Sequence, residues 1–508
     1  MDTESGLQRA EPRPADGALA RAVRWAFLLG AVLLVVAWIA LIALAQAGDR
    51  RVWAGATAAL VLLGLLAVYR PTWAIYGCLL LRAVSLNYLY GWRDPVDGFY
   101  APVEAAQLKV FGQLISMDSM QASFLFVVAC VILFTHPGLS RALKKIALPF
   151  AAFLALMGLS WALNGAELYG VKTAASVVTP ILFAAAVYAA VVPRRDTPTL
   201  ERLLYYSVAF SVGVGIVAQL LGGKPLLAFQ RGMFRFCGGT APPGFSMVVF
   251  PALALAYSRA LRQDWRAWFL VAVFLFLIGT TLTRLHLWVA MVVLVGGGLL
   301  APRRKVRTVL VGVLVSLLVV FVFWDPLQRR AFGSGKLPGY LVRFLVDSEL
   351  LKEVDLEVVA EVDTSGRRAL WRDYWRLARH RLRYGYGPGS APVILERPDW
   401  TRLAVPHNEY LRLVIETGVP GAIAYFGALA YLLVVLWRRR GPEGQRAVWV
   451  DAAGLSVAVL VMLAASENVL YVQGFPSTVL AVAAVAIKSA DGEGAKEASS
   501  GADGRCHS

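Results

Sequence analysis

Fourteen apolar stretches fall between residues 25 and 488, most of them about as long as a bilayer is thick. In hydrocarbon no water reaches a bare N–H or C=O, so an entering chain must satisfy its own backbone. About 20 residues of α-helix do that while crossing ~30 Å. The sequence therefore predicts an all-α polytopic membrane protein with about 14 (12–14) transmembrane helices. The lower bound reflects 71–88, which contains Arg82, and 122–136, which is short. Composition agrees: 58% of residues are hydrophobic and 16% charged, against roughly 25% charged in an ordinary soluble domain. A compact soluble enzyme is excluded. The first stretch, from Trp25 to about Ala47, is too long for the apolar core of a signal peptide, and its leader holds acids and prolines. It reads as the first membrane helix.

Charge supplies the orientation. The 50 Lys and Arg exceed the 33 Asp and Glu, for a net +17. A nucleic-acid binder would gather its cations on a polar face; here they sit in short clusters between apolar runs, so no nucleic-acid partner is expected. Lys and Arg mark cytoplasmic loops. With residues 1–24 (Arg9, Arg13, Arg21, Arg24) in the cytoplasm, the even-numbered helices return to that side at clusters of basic residues. These are Arg141/Lys144/Lys145, Arg194/Arg195/Arg202, Arg259/Arg262/Arg266, Arg303/Arg304/Lys305/Arg307 and Arg438/Arg439/Arg440. Both termini are then cytoplasmic. Helices 1–11 occupy 25–324 and helices 12–14 occupy 407–488, and the Gly-, Ser-, Ala- and Glu-rich segment 489–508 reads as a disordered tail. The opposite side receives 89–121, 222–244 and one large extracytoplasmic loop, 325–406.

Function is expected where arginines break the charge rule. In the large loop an acidic part, Asp347 to Asp363, precedes a basic one. From residue 368 the spacing is helical: Arg368, Arg372, Arg376, Arg379 and Arg383 form one stripe beside Trp371, Trp375, Ala378 and Leu382. A helix of this kind suits the membrane–water interface, against lipid headgroups or against a phosphorylated substrate. Gly385-Tyr-Gly-Pro-Gly389 must then turn. Arg235 lies in the loop 222–244. Arg284 occupies a short turn, Thr281-Leu-Thr-Arg284-Leu-His286, between two apolar helices. An arginine at membrane depth is costly unless it is paired or faces a wet cavity. His407 stands at the mouth of the twelfth helix, where an imidazole can take a proton from a hydroxyl. The four cysteines (Cys78, Cys130, Cys237, Cys506) have no metal-binding spacing.

His407-Asn408, nine residues, Gly418, two residues and Gly421 resemble the H-[NSQ]-x9-G-x2-[GTY] signature of the O-antigen ligase and polymerase superfamily. Arg367, four residues before Trp371 and followed by Gly385-Tyr-Gly-Pro-Gly389, resembles the stretch that leads to that histidine. Arg284 and Arg235 resemble the family's arginines after a Thr/Ser-rich helix end and ahead of a Gly-Thr-x-x-Pro segment. The likeness covers about residues 200–440, in the family's order. Two departures stand out: Thr283-Arg284-Leu285 where Ser-Arg-Gly is frequent, and Pro242-Pro243-Gly244 where Asn-Pro-Asn is frequent.

The resemblance implies a metal-independent glycosyltransferase of GT-C type, without cofactor, in the bacterial inner membrane. Its donor would be an undecaprenyl-pyrophosphate-linked glycan met on the periplasmic face. His407 would be the base for the acceptor hydroxyl. Arg235, Arg284 and Arg367 would bind the leaving pyrophosphate, and Asn408, Gly418 and Gly421 would support the motif. The acceptor would be another glycan (polymerase), lipid A-core (ligase) or another hydroxyl, including one on a protein. Fourteen spans lean to the polymerase, since ligases of the family tend to have about twelve. A transporter or flippase is the alternative of another class, for which Arg82 is the main intramembrane charge.

Overall fold

A computed structural model of the chain describes residues 18–44, 50–84, 92–93, 101–102, 107–110, 113–165, 168–220, 227–230, 233–238, 240–262, 264–299, 305–323, 337–338, 359–360, 367–391, 394, 406–441, 444–465, 467–470 and 474–503. Every apolar stretch of the sequence falls on a helix. These helices are α1 (Ala18–Leu44), α2 (Arg50–Tyr69), α3 (Pro71–Leu81), α4 (Met117–Thr135) and α5 (Leu139–Leu163). They continue with α6 (Leu168–Ala190), α7 (Pro193–Leu220), α8 (Pro242–Leu261), α9 (Ala267–Thr280), α10 (Arg284–Leu299) and α11 (Lys305–Val322). After α12 (Arg367–Ala378) come α13 (Glu409–Arg438), α14 (Gln445–Leu463) and α15 (Gly474–Asp503). Among the described residues, six helices are long and apolar enough to cross a membrane, namely α5, α6, α7, α8, α13 and α14. The chain is an all-α membrane protein.

Short two-stranded ladders decorate the helices. The one that matters below is an antiparallel hairpin of β1 (Leu227–Gln230) and β2 (Met233–Phe236). One continuous apolar core runs through the bundle. α8 lies at its centre, buried along most of its length and packed against α9, α14 and α7. α15 packs along α6 and α14.

Ion pairs collect at one end of the bundle. Glu201 of α7 pairs with Arg259 at the end of α8. Asp451 near the start of α14 holds Arg262 at 2.8 Å and Arg440 at 2.6 Å. Asp491 of α15 holds Arg439 at 2.9 Å and Lys145 at 3.7 Å. Three of the five basic clusters thus contribute to one polar end, and the side chains of Arg303 to Arg307 lie outside the described residues. α13 runs from this end to the opposite one, where His407 is found.

Three elements differ from the sequence reading. α12 stops at Ala378, so Arg379 and Arg383 leave the expected stripe and fall in turns that lead into the glycine-rich segment. α13 begins at Glu409 rather than near 417, and it breaks at Gly418 (φ 73°, ψ 175°) into segments 409–417 and 419–438. The second segment alone, at 1.5 Å per residue, spans about 30 Å, the thickness of the hydrocarbon. Finally, the α15 backbone stays helical past Lys488 to Asp503. Of the large loop, 339–358 and 361–366 lie outside the described residues, and with them the acidic part.

Candidate functional site

His407 sits at the start of α13 with a positive φ of 47°, a conformation L-residues adopt sparingly and which histidine tolerates better than most. Three neighbours hold it there. Asn408 is extended (φ −156°) and caps α13, its Oδ1 accepting the Leu411 N–H at 3.0 Å. Trp371 of α12 donates its indole N–H to the Pro406 carbonyl at 2.6 Å, pinning the residue before the histidine. Asn468, between α14 and α15, places its amide 3.1 Å from His407 Nδ1.

The segment carrying Asn468 is itself tied to α13. The Glu409 N–H donates to the Ala464 carbonyl (2.7 Å), and the Leu470 N–H donates to Glu409 Oε1 (3.0 Å). The Tyr410 hydroxyl donates to the Val461 carbonyl at 2.9 Å. Next to Asn468, Glu467 lies 4.0 Å from Nε2 of His286, which is fully buried in the first turn of α10 against Phe250. Arg284, two residues earlier and half-buried, opens that same helix. A helix N-terminus carries a positive partial charge, so an arginine placed there makes a point of concentrated positive potential.

The turn before Arg284 is built around Arg235. This side chain is not in a loose loop, as the sequence suggested, but on β2 opposite Ala228, and it is 4% exposed. Its Nε donates to the Thr281 carbonyl (2.8 Å) and its terminal nitrogen to Thr283 Oγ1 (3.0 Å). Thr281 Oγ1 in turn meets Ser246 Oγ of α8 at 2.9 Å. Leu282 carries a positive φ of 50° inside this turn. The fork of a guanidinium reaches two acceptors at once, and here it fixes the backbone that leads into Arg284. A continuous path of contacts thus joins Arg235, the 281–284 turn, His286, Glu467, Asn468 and His407.

Behind the histidine lies a polar group that the sequence reading did not single out. Glu409, Arg412 and Glu416 are all essentially unexposed. Arg412 Nε sits 2.9 Å from Glu409 Oε2 and 3.6 Å from Glu416 Oε2. The Glu416 carboxylate also accepts backbone N–H bonds from Gly389 and Ala391. Buried ions persist only when they are paired, and these three pair with one another. Their spacing of three and four residues on one helical face was the available signal.

The glycine motif has a structural reading. A helix that breaks at Gly418 leaves carbonyls without their partners. Those of Ile415 and Glu416 are met by the N–H groups of Tyr386 (2.7 Å) and Gly387 (3.1 Å), and the Val419 N–H donates back to the Leu382 carbonyl (2.8 Å). Gly385, Gly387 and Gly389 all have positive φ, and a Cβ on Gly385 would lie 2.5 Å from the Ile415 carbonyl oxygen. Ser160 of α5 adds its hydroxyl at 2.7 Å from the Glu416 carbonyl. A Cβ on Gly421 would collide with Thr417. Tyr374 of α12 donates to the Ala391 carbonyl (2.6 Å), and burial, helped by nearby Glu416, pushes its hydroxyl pKa up. The turn therefore clamps the helix break. The backbone of Arg367 begins α12, while its side chain lies outside the described residues. Among the described residues, no three His, Cys, Asp or Glu side chains gather in metal-binding geometry.

Fold and site together define a polytopic helical membrane protein with a histidine and cationic groups assembled at one end of the bundle. Residues 245–426, from α8 to the second segment of α13, match the family described as O-antigen ligase. That match supports membership of the O-antigen ligase/polymerase superfamily and, with it, a ligase- or polymerase-type function in polysaccharide assembly. It contains Arg284, Arg367, His407, Gly418 and Gly421; Arg235 precedes it. No match is found among curated proteins.

Proposed function

We propose that the protein transfers a glycan from an undecaprenyl-pyrophosphate carrier to an acceptor hydroxyl on the periplasmic face of the inner membrane, as a repeat-unit polymerase. The observation that carries this reading is the contact path from Arg235 through the 281–284 turn, His286, Glu467 and Asn468 to His407. It links the proposed base to the proposed phosphate-binding cations, which supports their acting in one site.

In the proposed reaction His407 takes the proton of the acceptor hydroxyl, whose oxygen attacks the anomeric carbon of the donor sugar. The bond from that carbon to the pyrophosphate oxygen breaks, and the lipid pyrophosphate leaves with the electron pair. Arg284 and Arg367 meet the charge that accumulates on it, in a setting where each such donor is worth ~2–4 kcal/mol of barrier. Arg235 acts at the same phosphate side and braces the turn that presents Arg284. No metal ion enters this scheme.

In this reading topology follows the charge pattern: the ion-paired end, where three basic clusters meet, is cytoplasmic with both termini, and His407 is periplasmic. Fourteen apolar helices favour the polymerase; the description of the matched family favours a ligase, whose acceptor would be lipid A-core. The test is purified protein in vesicles with a lipid-linked repeat unit as sole substrate. A ladder of longer lipid-linked products supports the polymerase. Product only after addition of lipid A-core makes it a ligase. Lipid or solute movement without product makes it a transporter and overturns the transfer reading.

A further inference from the structure

The amide of Asn468 raises a question of orientation. As placed, Nδ2 faces His407 Nδ1 at 3.1 Å, while Oδ1 is buried without a hydrogen-bond partner. The two ends of an amide are told apart only by their hydrogen bonds, and either end of Asn468 can face His407 Nδ1 at this distance. Flipped, Oδ1 accepts the proton of His407 Nδ1. A neutral imidazole carries one N–H, so a proton fixed on Nδ1 leaves the lone pair on Nε2. With Nδ2 donating instead, the proton would sit on Nε2, and His407 could not accept there.

We infer that Asn468 is a positioning residue, which holds His407 in the Nδ1–H tautomer by accepting from Nδ1 through its side-chain carbonyl. The inference rests on the reading of His407 as the base. Asn468 is well fixed for the role: the segment that carries it is bonded to α13 on both sides, through Ala464 and Leu470, and Glu467 beside it contacts His286. The positive φ of His407 and the Trp371 bond to Pro406 set the direction of the ring. The charged groups of the elements that meet there, Glu409 and Arg412 of α13 and Glu467 of the link, are unaltered by changes at 468.

The experiment compares Asn468→Leu and Asn468→Asp with wild-type protein in the vesicle assay, over a range of pH, with thermal unfolding as a control. Asn468→Leu, similar in shape but without an acceptor, should lower kcat by about ten- to a hundredfold with KM for the lipid-linked donor within about twofold. Asn468→Asp keeps an acceptor, so it should be faster than Asn468→Leu. Its carboxylate favours the imidazolium, so the base must be deprotonated at higher pH and the acid limb of the pH–rate profile should move up by about one unit. A wild-type kcat in Asn468→Leu, or an unmoved acid limb in Asn468→Asp, overturns the inference. If the leucine variant does not fold, the aspartate profile alone decides. Wild-type protein that transfers no glycan overturns the functional reading instead.

Discussion

The break in α13 makes a quantitative prediction. Gly418 has φ 73° and ψ 175°, a region populated essentially by glycine. A Cβ there would stand 2.6 Å from the Arg383 carbonyl carbon and oxygen and 2.7 Å from the Leu382 oxygen. All three are backbone atoms, so no side-chain rotation relieves the overlap. Backbone strain costs ~1–3 kcal/mol, and parting the segments to make room sacrifices the Val419–Leu382 hydrogen bond, another ~0.5–1.5 kcal/mol. Gly418→Ala should therefore destabilise the protein by ~2–4 kcal/mol. Gly427, nine residues further along the same helix, is the matched control: it is regular helix, and a Cβ there meets nothing within 4 Å. Gly427→Ala should be neutral or stabilise by up to ~1 kcal/mol, the ordinary helix preference for alanine. Reversible unfolding in mixed detergent micelles, followed by tryptophan fluorescence, measures both. Equal effects at the two positions, or a Gly418→Ala change below ~0.5 kcal/mol, would refute the claim that the turn at 385–389 clamps a broken helix.

The site offers further tests. His407→Ala should abolish glycan transfer while leaving expression and membrane insertion intact; normal polysaccharide in a strain carrying only that variant sinks the assignment. Arg412→Leu should cost ~3–5 kcal/mol, because two buried carboxylates lose their counter-ion, and Arg412→Leu with Glu409→Gln and Glu416→Gln should recover much of that loss in the same unfolding assay. Trp371→Phe keeps the ring but removes the donor to Pro406; a loss of ~1 kcal/mol in positioning corresponds to about fivefold in kcat, without loss of stability on that scale.

The helices were readable because the cost of an unpaired backbone in hydrocarbon leaves long apolar runs no other form; each of the fourteen stretches contains a helix, and six of these helices, among the described residues, are long and apolar enough to cross a membrane. What the sequence could not show was where a helix would break. Gly418 and Pro420 were visible, but the break depends on distant partners, the N–H groups of Tyr386 and Gly387 and the hydroxyl of Ser160, that meet the freed carbonyls. The same holds for α12: Arg379 and Arg383 fit a helical stripe, yet tertiary bonds from 385–387 to α13 end the helix at Ala378. His407, Arg284 and Arg235 stood out as ionisable groups in the wrong place. Asn468 and Glu467 carried no such mark, lying some sixty residues beyond His407 in a short polar link between two helices. Only the fold brings them to the ring.

The proposed transfer makes a specific demand on the distribution of charge within the site. A transfer of this kind leaves a proton on the acceptor side and a pyrophosphate on the donor side. Following His407 in the chain, the buried carboxyl groups of Glu409 and Glu416 flank Arg412, and Glu467 lies in the link. Across that link the fixed charges are Arg235 and Arg284, the latter at the positive end of a helix dipole. In the proposed transfer, carboxyl groups would lie on the side where a proton arrives and arginines on the side where an anion departs. The 467–468 link separates the two, touching His286 on the cation side with one residue and His407 on the base side with the next. Reversing either half by a single charge would oppose the reaction at the step where charge separates. The +17 of the whole chain is less informative than the few arginines outside the basic clusters, because clustered cations gather at the far end of the bundle, where Lys145, Arg259, Arg262, Arg439 and Arg440 share the carboxylates of Glu201, Asp451 and Asp491.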